Sequence, residues 1–200
     1  MPKIGAEPAR RRALIHAAIE KIGEQGSLDV SVKDIARQAG MSSALAFHYF
    51  GGKDEIIVET MRHLLRELSL VMIRELKKAD THEERIEALI RASFSAEQFE
   101  RKTIAAWLVF YLKAYSSPRA ARLLAIYANR LNSNLVFSLK QLTHEADAVQ
   151  LARGLGAMID GIYIREALSN KGANAEEAIA TCQAFVTHSL RYTNPSRGSH

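Results

Sequence analysis

The chain has 200 residues, of which 48% are hydrophobic and 24% charged, with a formal net charge of +5. This composition suits one large or two small globular domains, and it contains no run near the ~18 apolar residues of a membrane-spanning helix. The single cysteine excludes an intramolecular disulfide, and the basic N-terminus lacks the apolar segment of a signal peptide. We therefore expect a cytoplasmic protein.

Basic residues precede the first predicted helix, and its apolar residues then recur at helical spacing as far as the glycines at 23 and 26. The basic cluster consists of Lys3, Arg10, Arg11 and Arg12. Its position indicates a polyanionic partner, although a solvated basic face explains the same charges equally well.

Two short helices are predicted next, joined by a turn that contains glycine. Ser31 is placed to cap the first helix with Asp34 in the capping-box position, and Gly40 suits the left-handed residue that ends it. Ser42 or Ser43 caps the second helix, which runs to about residue 49. Two short helices with such a turn are typical of a helix-turn-helix.

Four consecutive ring-bearing residues, 47–50, close the second short helix. Because a run of four points around every side of a helix, the rings cannot share one core. We expect Phe50 and Ala46 to face the first short helix and the other rings to include some that contact a DNA backbone. Lys53 then begins a long helix, where the N-terminal N–H groups also favour an anion.

The predicted DNA-binding residues combine small side chains that meet base edges with rings and cations that contact phosphates. They are Arg10, Arg11, Arg12, Ser31, Lys33, Ser42, Ser43, Ala44, Phe47, His48, Tyr49 and Lys53.

The remainder of the chain is predicted to be helical, with no strand alternation and no internal repeat. The expected helices span 53–78, 82–99, 103–115, 118–142, 147–170 and 174–192. The predicted fold is all-α, with a helix-turn-helix DNA-binding domain at 1–52 and a larger effector-binding and dimerisation domain at 53–192. Residues 193–200 are predicted to be a disordered tail or a cloning remnant.

Residues 35–56, IARQAGMSSALAFHYFGGKDEI, resemble the signature of the TetR family of bacterial repressors. The resemblance comprises an A-G-x-S turn, a recognition helix that ends in three aromatic residues, and a lysine that starts the fourth helix. The matching positions are Ala39, Gly40, Ser42, Phe47, His48, Tyr49, Phe50 and Lys53. Ala44 and Ala46 depart from the glycine and the larger aliphatic residue that are frequent there.

The similarity extends to the second half of the chain. Residues 106–108, 133–135 and 157–169 (AMIDGIYIREALS) resemble the choline-responsive repressors of the glycine betaine synthesis genes. The resemblance implies a homodimer that binds double-stranded, near-palindromic operator DNA and responds to choline, without a cofactor or metal. A TetR-type regulator that responds to another cationic or amphipathic molecule is the alternative.

A choline-binding pocket needs aromatic faces and a carboxylate, because a quaternary ammonium donates no strong hydrogen bond. A row of rings follows residue 107 at helical spacing, and an acidic residue precedes a tyrosine on a later helix. The predicted ligand-binding residues are Trp107, Phe110, Tyr111, Asp160 and Tyr163. Ordinary core packing explains each of these rings as well, and Asp160 also suits a structural acceptor.

The last two predicted helices carry a smooth stripe and an apolar face that suit a dimer interface. The predicted interface residues are Gly154, Ala157, Gly161, Cys182 and Phe185. Close packing within one subunit is the other reading of the stripe, and Cys182 is expected to be a packing residue rather than a redox switch.

Two other classes of protein fit the sequence less well. His82 lacks the second histidine of a metalloprotease motif, and there is no glycine-rich phosphate loop or recognisable nucleophile, so no catalytic residue is predicted. A membrane-surface helical protein would use similar amphipathic stripes, but the regular caps and core pattern disfavour it.

Overall fold

The structure is a computed structural model that describes residues 6–169 and 173–193, and within these ranges every regular element is an α-helix. The helices are α1 Ala6–Gln25, α2 Val32–Gln38, α3 Ser43–Phe50, α4 Lys53–Leu76, α5 His82–Ser93, α6 Arg101–Ser116, α7 Pro118–Leu139, α8 Glu145–Ala167 and α9 Ala175–Thr193. The all-α prediction is confirmed. The predicted tail lies outside the described residues apart from Thr193, which ends α9.

The caps around α2 and α3 follow the sequence closely. The Oγ of Ser31 accepts from the backbone N–H of Asp34 at 3.0 Å, and its hydroxyl donates to the Asp34 carboxylate at 2.6 Å. Gly40 has a φ of 67°, in the left-handed region where a Cβ is unfavourable. Ser42 then caps α3 by accepting from the N–H of Leu45 at 3.2 Å. Local hydrogen bonds therefore fix the turn between the two short helices.

The helix predicted for 82–99 is wrong in its second half, because α5 ends at Ser93. In a continuing helix the carbonyl of Ser93 would accept from the N–H four residues later, but here it accepts from the hydroxyl of Tyr163. The rings of Phe94 and Phe99 are both buried and meet edge to face with centroids 5.0 Å apart. Turning the chain after Ser93 brings these rings together.

The chain divides into two compact units by its internal contacts. Unit 1 comprises Met1–Arg66 and Arg101–Leu123, and unit 2 comprises Glu67–Glu100 and Leu124–His200. Helix α6 therefore groups with the helix-turn-helix, whereas the sequence placed it in the domain that begins at residue 53. The predicted boundary between a DNA-binding domain and an effector domain, at residues 52 and 53, is a functional division and stays a prediction. The compact units instead divide the chain after Arg66, Glu100 and Leu123.

Close backbone packing explains why α6 belongs to unit 1. A Cβ added to Gly23 of α1 would lie 2.5 Å from the carbonyl oxygen of Lys102, so only glycine allows α1 and α6 to approach so closely. The Lys102 ammonium also bonds to the Glu20 carboxylate and lies 3.8 Å from that of Glu24. Together these contacts hold the start of α6 on the last turns of α1.

Candidate DNA interface and effector site

Helix α3 has an inner and an outer face. Ala46 and Phe50 are buried, as predicted, whereas Phe47 is 49% exposed and His48 is also exposed. Tyr49 is half-buried between these faces. The aromatic run therefore closes the core of the helix-turn-helix on one side and leaves two rings free to meet another molecule.

Helix α1 holds the C-terminal end of α3. The guanidinium of Arg11 donates to the backbone carbonyl of Tyr49 and lies 4.4 Å from the ring centroid of Phe50. Arg10 donates to the Tyr49 hydroxyl at 3.4 Å. Two of the three arginines predicted to contact DNA thus also orient the recognition helix, a role that the sequence alone did not indicate. Arg12 is exposed on the same helix.

Small side chains form the N-terminal surface of α3. Ser42 and Ala44 are exposed, Ser43 is half-buried, and the capping bond of Ser42 uses its oxygen only as an acceptor. Its hydroxyl hydrogen remains available to a phosphate or base. Ser31 and Lys33 are exposed at the start of α2. The predicted DNA-binding residues of α2 and α3 are therefore accessible in unit 1.

Lys53 is the first residue of α4 and follows the left-handed Gly51, whose φ is 72°. Its ammonium lies 3.6 Å from the carboxylate of Asp29, which is almost fully exposed in the turn between α1 and α2. A DNA phosphate would compete with this exposed carboxylate for the same cation.

The ring row predicted on α6 lies in unit 1. Trp107 and Phe110 are buried, at 3% and 0% exposure, and Tyr111 is half-buried. Tyr115, one helical turn after Tyr111, is 95% exposed and points to solvent. Trp107 and Phe110 therefore pack in the interior of the chain, whereas Tyr111 is only partly covered.

Asp160 and Tyr163 lie together on α8 in unit 2, in an environment that the sequence did not reveal. The Tyr163 hydroxyl donates to the Ser93 carbonyl, its ring stacks on Phe94 with centroids 5.8 Å apart, and Phe99 meets its edge at 5.2 Å. Burial raises the pKa of Tyr163, and the neighbouring Tyr127 and Asp160 raise it further.

Tyr127 of α7 completes this group of side chains. Burial raises the pKa of the Tyr127 phenol, and the negative charge of Asp160 adds to the effect. The structure thus brings a carboxylate next to two phenols that hold their protons strongly, with two phenylalanine rings adjoining. We call this set the aromatic–acid cluster; it consists of Phe94, Phe99, Tyr127, Asp160 and Tyr163.

The predicted interface residues on α8 and α9 separate into two groups. A Cβ on Gly154 would lie 3.0 Å from the ring of Phe185, so this glycine allows α9 to pack on α8 within one chain. Cys182 is fully buried, and burial raises the pKa of its thiol to about 11. Ala157 is exposed and Gly161 has open space at its Cα. Ala157 and Gly161 are thus the members that face outward.

Ala157 and Gly161 extend into a longer outward stripe that follows α8 and ends at Leu168, the residue that caps its C-terminus. Ile164 is 39% exposed and Leu168 is 73% exposed, and with the two small residues they recur at spacings of four, three and four. Such a repeat is the pattern of a helix that packs against another helix. We call it the α8 stripe; it consists of Ala157, Gly161, Ile164 and Leu168.

Residues 14–60, which include the helix-turn-helix, match the bacterial regulatory proteins of the TetR family. Residues 82–191, more than half of the chain, match the C-terminal domain of BetI-type transcriptional repressors. The chain belongs to the TetR family. It is a BetI-type transcriptional repressor and not an enzyme.

Relatives of this TetR-family chain cover nearly all of it. The HTH-type transcriptional regulator BetI of Brucella melitensis biotype 2 (strain ATCC 23457) is 57% identical over 95% of this chain and 96% of its own. The BetI regulator of Rhizobium meliloti (strain 1021) is 48% identical over 96% and 94%. Similarity at this level across both units confirms that the subtype resemblance extends beyond the DNA-binding segment.

Solved structures share the TetR-type fold. A transcriptional regulator from Pseudomonas aeruginosa PAO1 superposes with a TM-score of 0.74 at 26% identity, covering 95% of this chain and 94% of that one. A regulator from Saccharomonospora viridis, solved in complex with choline, has a TM-score of 0.76 at 23% identity and covers 89% and 95%. At 23% identity the second likeness shows the fold alone.

The part of this TetR-family chain that the structure describes contains no helix long and apolar enough to cross a membrane. Within the same residues, no three His, Cys, Asp or Glu side chains converge as a metal site. The sequence did not indicate that Phe94 and Phe99 lie beside Tyr163, or that Tyr127 lies near Asp160. The predicted helix ran to residue 99, so Phe94 and Phe99 were not expected to lie in a turn after α5. Tyr127 is a single ring on an amphipathic helix, and its position gave no signal of a site.

Proposed function

We propose that this repressor acts as a homodimer on a near-palindromic operator of choline-to-glycine-betaine genes, and that choline relieves the repression. The observation that carries the choline part is the aromatic–acid cluster in unit 2. The choline complex of the S. viridis regulator, which shares the fold, supports the same ligand. The cytoplasm is the location that this DNA partner requires.

The cluster has the chemistry that a quaternary ammonium needs. A trimethylammonium group attracts aromatic faces at about 1–2 kcal/mol for each well-placed ring. The carboxylate of Asp160 adds Coulomb attraction, and its charge already acts on the Tyr127 and Tyr163 phenols. Because both phenols hold their protons strongly, Asp160 is the group of the cluster that supplies negative charge to a bound cation.

Titration calorimetry with choline tests this assignment. We expect Asp160→Asn, which keeps the shape and removes the charge, to weaken choline binding about tenfold or more, equivalent to roughly 1.4 kcal/mol. Asp147→Asn, a change on the same helix outside the cluster, is the matched control and should leave the affinity unchanged. Equal choline affinity in wild type and Asp160→Asn would place the ligand elsewhere.

A neutral ligand separates charge recognition from shape. 3,3-Dimethylbutan-1-ol has the outline of choline without its charge, so it should bind weakly to wild type and to Asp160→Asn alike. Other quaternary ammonium compounds in the same titration distinguish a choline-specific regulator from one with a broader cationic effector. Trp107→Ala and Tyr111→Phe test the sequence-predicted ring row in unit 1 independently.

The α8 stripe supports the proposed homodimer. Apolar side chains at Ile164 and Leu168, beside small residues at 157 and 161, would let the α8 helices of two subunits approach closely. Ile164→Glu should therefore shift the mass measured by light scattering towards a monomer. Leu112→Glu, at another exposed apolar position on α6, is the control. A monomeric wild type, or a dimeric Ile164→Glu protein, would contradict this interface.

Two-fold symmetry predicts the form of the operator. One short recognition helix reads few bases, so a dimer would place its two α3 helices in major grooves about 34 Å apart or a multiple of that distance.

Lys53→Ala should weaken binding to all sequences and reduce the slope of log affinity against log salt by about one per phosphate contact. Substitutions at Ser43 and Ala44 should instead alter base preference. Footprinting a single asymmetric half-site would contradict the symmetric model.

Relief by choline requires that choline favour a conformation with weaker operator affinity. A tenfold loss of operator affinity needs about 1.4 kcal/mol of coupling, and the operator must then weaken choline binding by the same factor. Choline titrations with and without operator DNA measure this reciprocity directly.

A further inference from the structure

Two carboxylates stand next to the lysine proposed to bind a DNA phosphate. Asp54 and Glu55 directly follow Lys53 in the first turn of α4. Acidic residues in the first turn of a helix interact favourably with the helix dipole, and in an ordinary helix this interaction explains their presence. Beside a polyanion, however, two negative charges reduce affinity by repulsion. Their presence needs a second reason.

Both carboxylates are held by cations from the α6–α7 corner, within unit 1. Glu55 accepts two bonds from the guanidinium of Arg119, at 2.7 and 3.1 Å, and Arg119 lies directly after Pro118 at the start of α7. The Arg119 hydrogen bond lowers the pKa of Glu55. Asp54 accepts from the ammonium of Lys113 of α6 at 3.0 Å. Two ion pairs therefore link the first turn of α4 to the end of α6 and the start of α7.

We propose that Arg119 and Lys113 are positioning residues for operator binding. Through Glu55 and Asp54 they fix the orientation of the first turn of α4, so that Lys53 and the free backbone N–H groups of that turn point towards a phosphate. The inference rests on the proposed contact between Lys53 and operator DNA.

The geometry favours an orienting role over a stabilising one. Exposed ion pairs contribute little to folding stability because water screens them, and Arg119 and Asp54 are largely exposed. A two-pronged arginine–carboxylate pair nevertheless restricts direction, because both hydrogen bonds form only in one relative placement. Removing it should leave the fold intact and loosen the turn.

The sign of one substitution separates the proposal from plain electrostatics. Glu55→Gln removes a negative charge two residues from Lys53, so Coulomb repulsion alone predicts tighter DNA binding. Loss of positioning predicts weaker binding. Arg119→Met weakens binding under both explanations, so Glu55→Gln is the decisive variant.

The experiment measures anisotropy of a fluorescein-labelled duplex of the footprinted operator, together with the melting temperature of each variant. We expect Glu55→Gln to weaken binding about fivefold, equivalent to roughly 1 kcal/mol, with little change in melting temperature. The double variant Glu55→Gln/Arg119→Met should be no weaker than Arg119→Met alone. Glu87→Gln, which removes an exposed pair with Arg91 on α5, should leave binding unchanged.

Lys53→Ala, measured in parallel, separates the two proposals. If Lys53→Ala weakens binding while Glu55→Gln binds as tightly as wild type or more tightly, the positioning role is overturned and the phosphate contact stands. If Lys53→Ala leaves affinity and salt slope unchanged, both are overturned.

Discussion

The helix-turn-helix and the aromatic–acid cluster are built in opposite ways. In the helix-turn-helix, caps at Ser31 and Ser42 and a left-handed Gly40 lie within about a dozen residues of one another. In the cluster, the side chains come from the turn after α5, from α7 and from α8, up to 69 residues apart between Phe94 and Tyr163. Local hydrogen bonds specify the first region, and long-range packing specifies the second.

The difference determines how each region responds to substitution. A short-range motif depends on backbone conformation, so replacing a single cap or glycine should lower the free energy of unfolding by about 1 kcal/mol. A long-range cluster depends on filled volume, so truncating one of its rings should lower it by several kcal/mol. The following substitutions test this contrast, from the largest expected effect to the smallest.

Phe94→Ala should have the largest effect. Phe94 is 1% exposed and its ring contacts both Phe99 and Tyr163, so truncation leaves a cavity that costs about 3–5 kcal/mol. Chemical denaturation measures the change in the free energy of unfolding. Phe137→Ala, at a ring 56% exposed on α7, is the control and should change it much less. Equal effects of the two substitutions would remove the contrast between the regions.

Gly23→Ala tests a long-range contact inside the DNA-binding unit. The new Cβ would meet the Lys102 carbonyl at 2.5 Å, and the backbone shift that relieves this overlap should cost about 1–3 kcal/mol. We expect a lower melting temperature and weaker operator binding, since α1 also holds α3 through Arg11. A neutral outcome would mean that α6 is free to move away from α1.

Gly40→Ala and Gly52→Ala form a matched pair within the helix-turn-helix segment. At Gly40 a φ of 67° should make alanine unfavourable by about 1 kcal/mol, although no atom lies within 4 Å of the new Cβ. Gly52 has equally open space without a positive φ, so alanine there should be tolerated. Urea denaturation of both variants should separate them. Similar destabilisation by both would show that conformation is not the cause.

Alkaline pH should produce the smallest and most specific effect. The pKa of Tyr127 is raised above its ordinary 10.0 by burial and then by Asp160, so above pH 10 the unfolded chain loses this proton before the folded one. The contribution is fully present below pH 10 and is lost as pH rises towards the folded pKa. Tyr127→Phe should reduce the fall in melting temperature with rising pH, and Tyr115→Phe, at a 95% exposed ring, should not. Identical pH profiles would argue against burial of this phenol.

The sequence predicted the all-α class and the helix-turn-helix with its caps, because those depend on short-range patterns. It also separated the inner Phe50 from the outer His48, since helical periodicity alone requires it. It did not predict the end of α5, because the acceptor at Ser93 is taken by a tyrosine 70 residues away. Nor did it predict that α6 packs on α1. Nothing in the sequence distinguishes a glycine that permits close helix packing, such as Gly23, from a glycine that ends a helix.

Cys182 makes the opening of α9 measurable without any added label. It is the one cysteine of the chain, its side chain is fully buried, and burial raises the pKa of its thiol to about 11. A thiol reagent attacks the thiolate, so the closed protein should resist modification both sterically and chemically. Modification should then require local opening around α9, so its rate reports the free energy of that opening. In the wild-type protein, the modification rate of Cys182 can therefore show whether choline or DNA makes opening of this part of the chain more or less favourable.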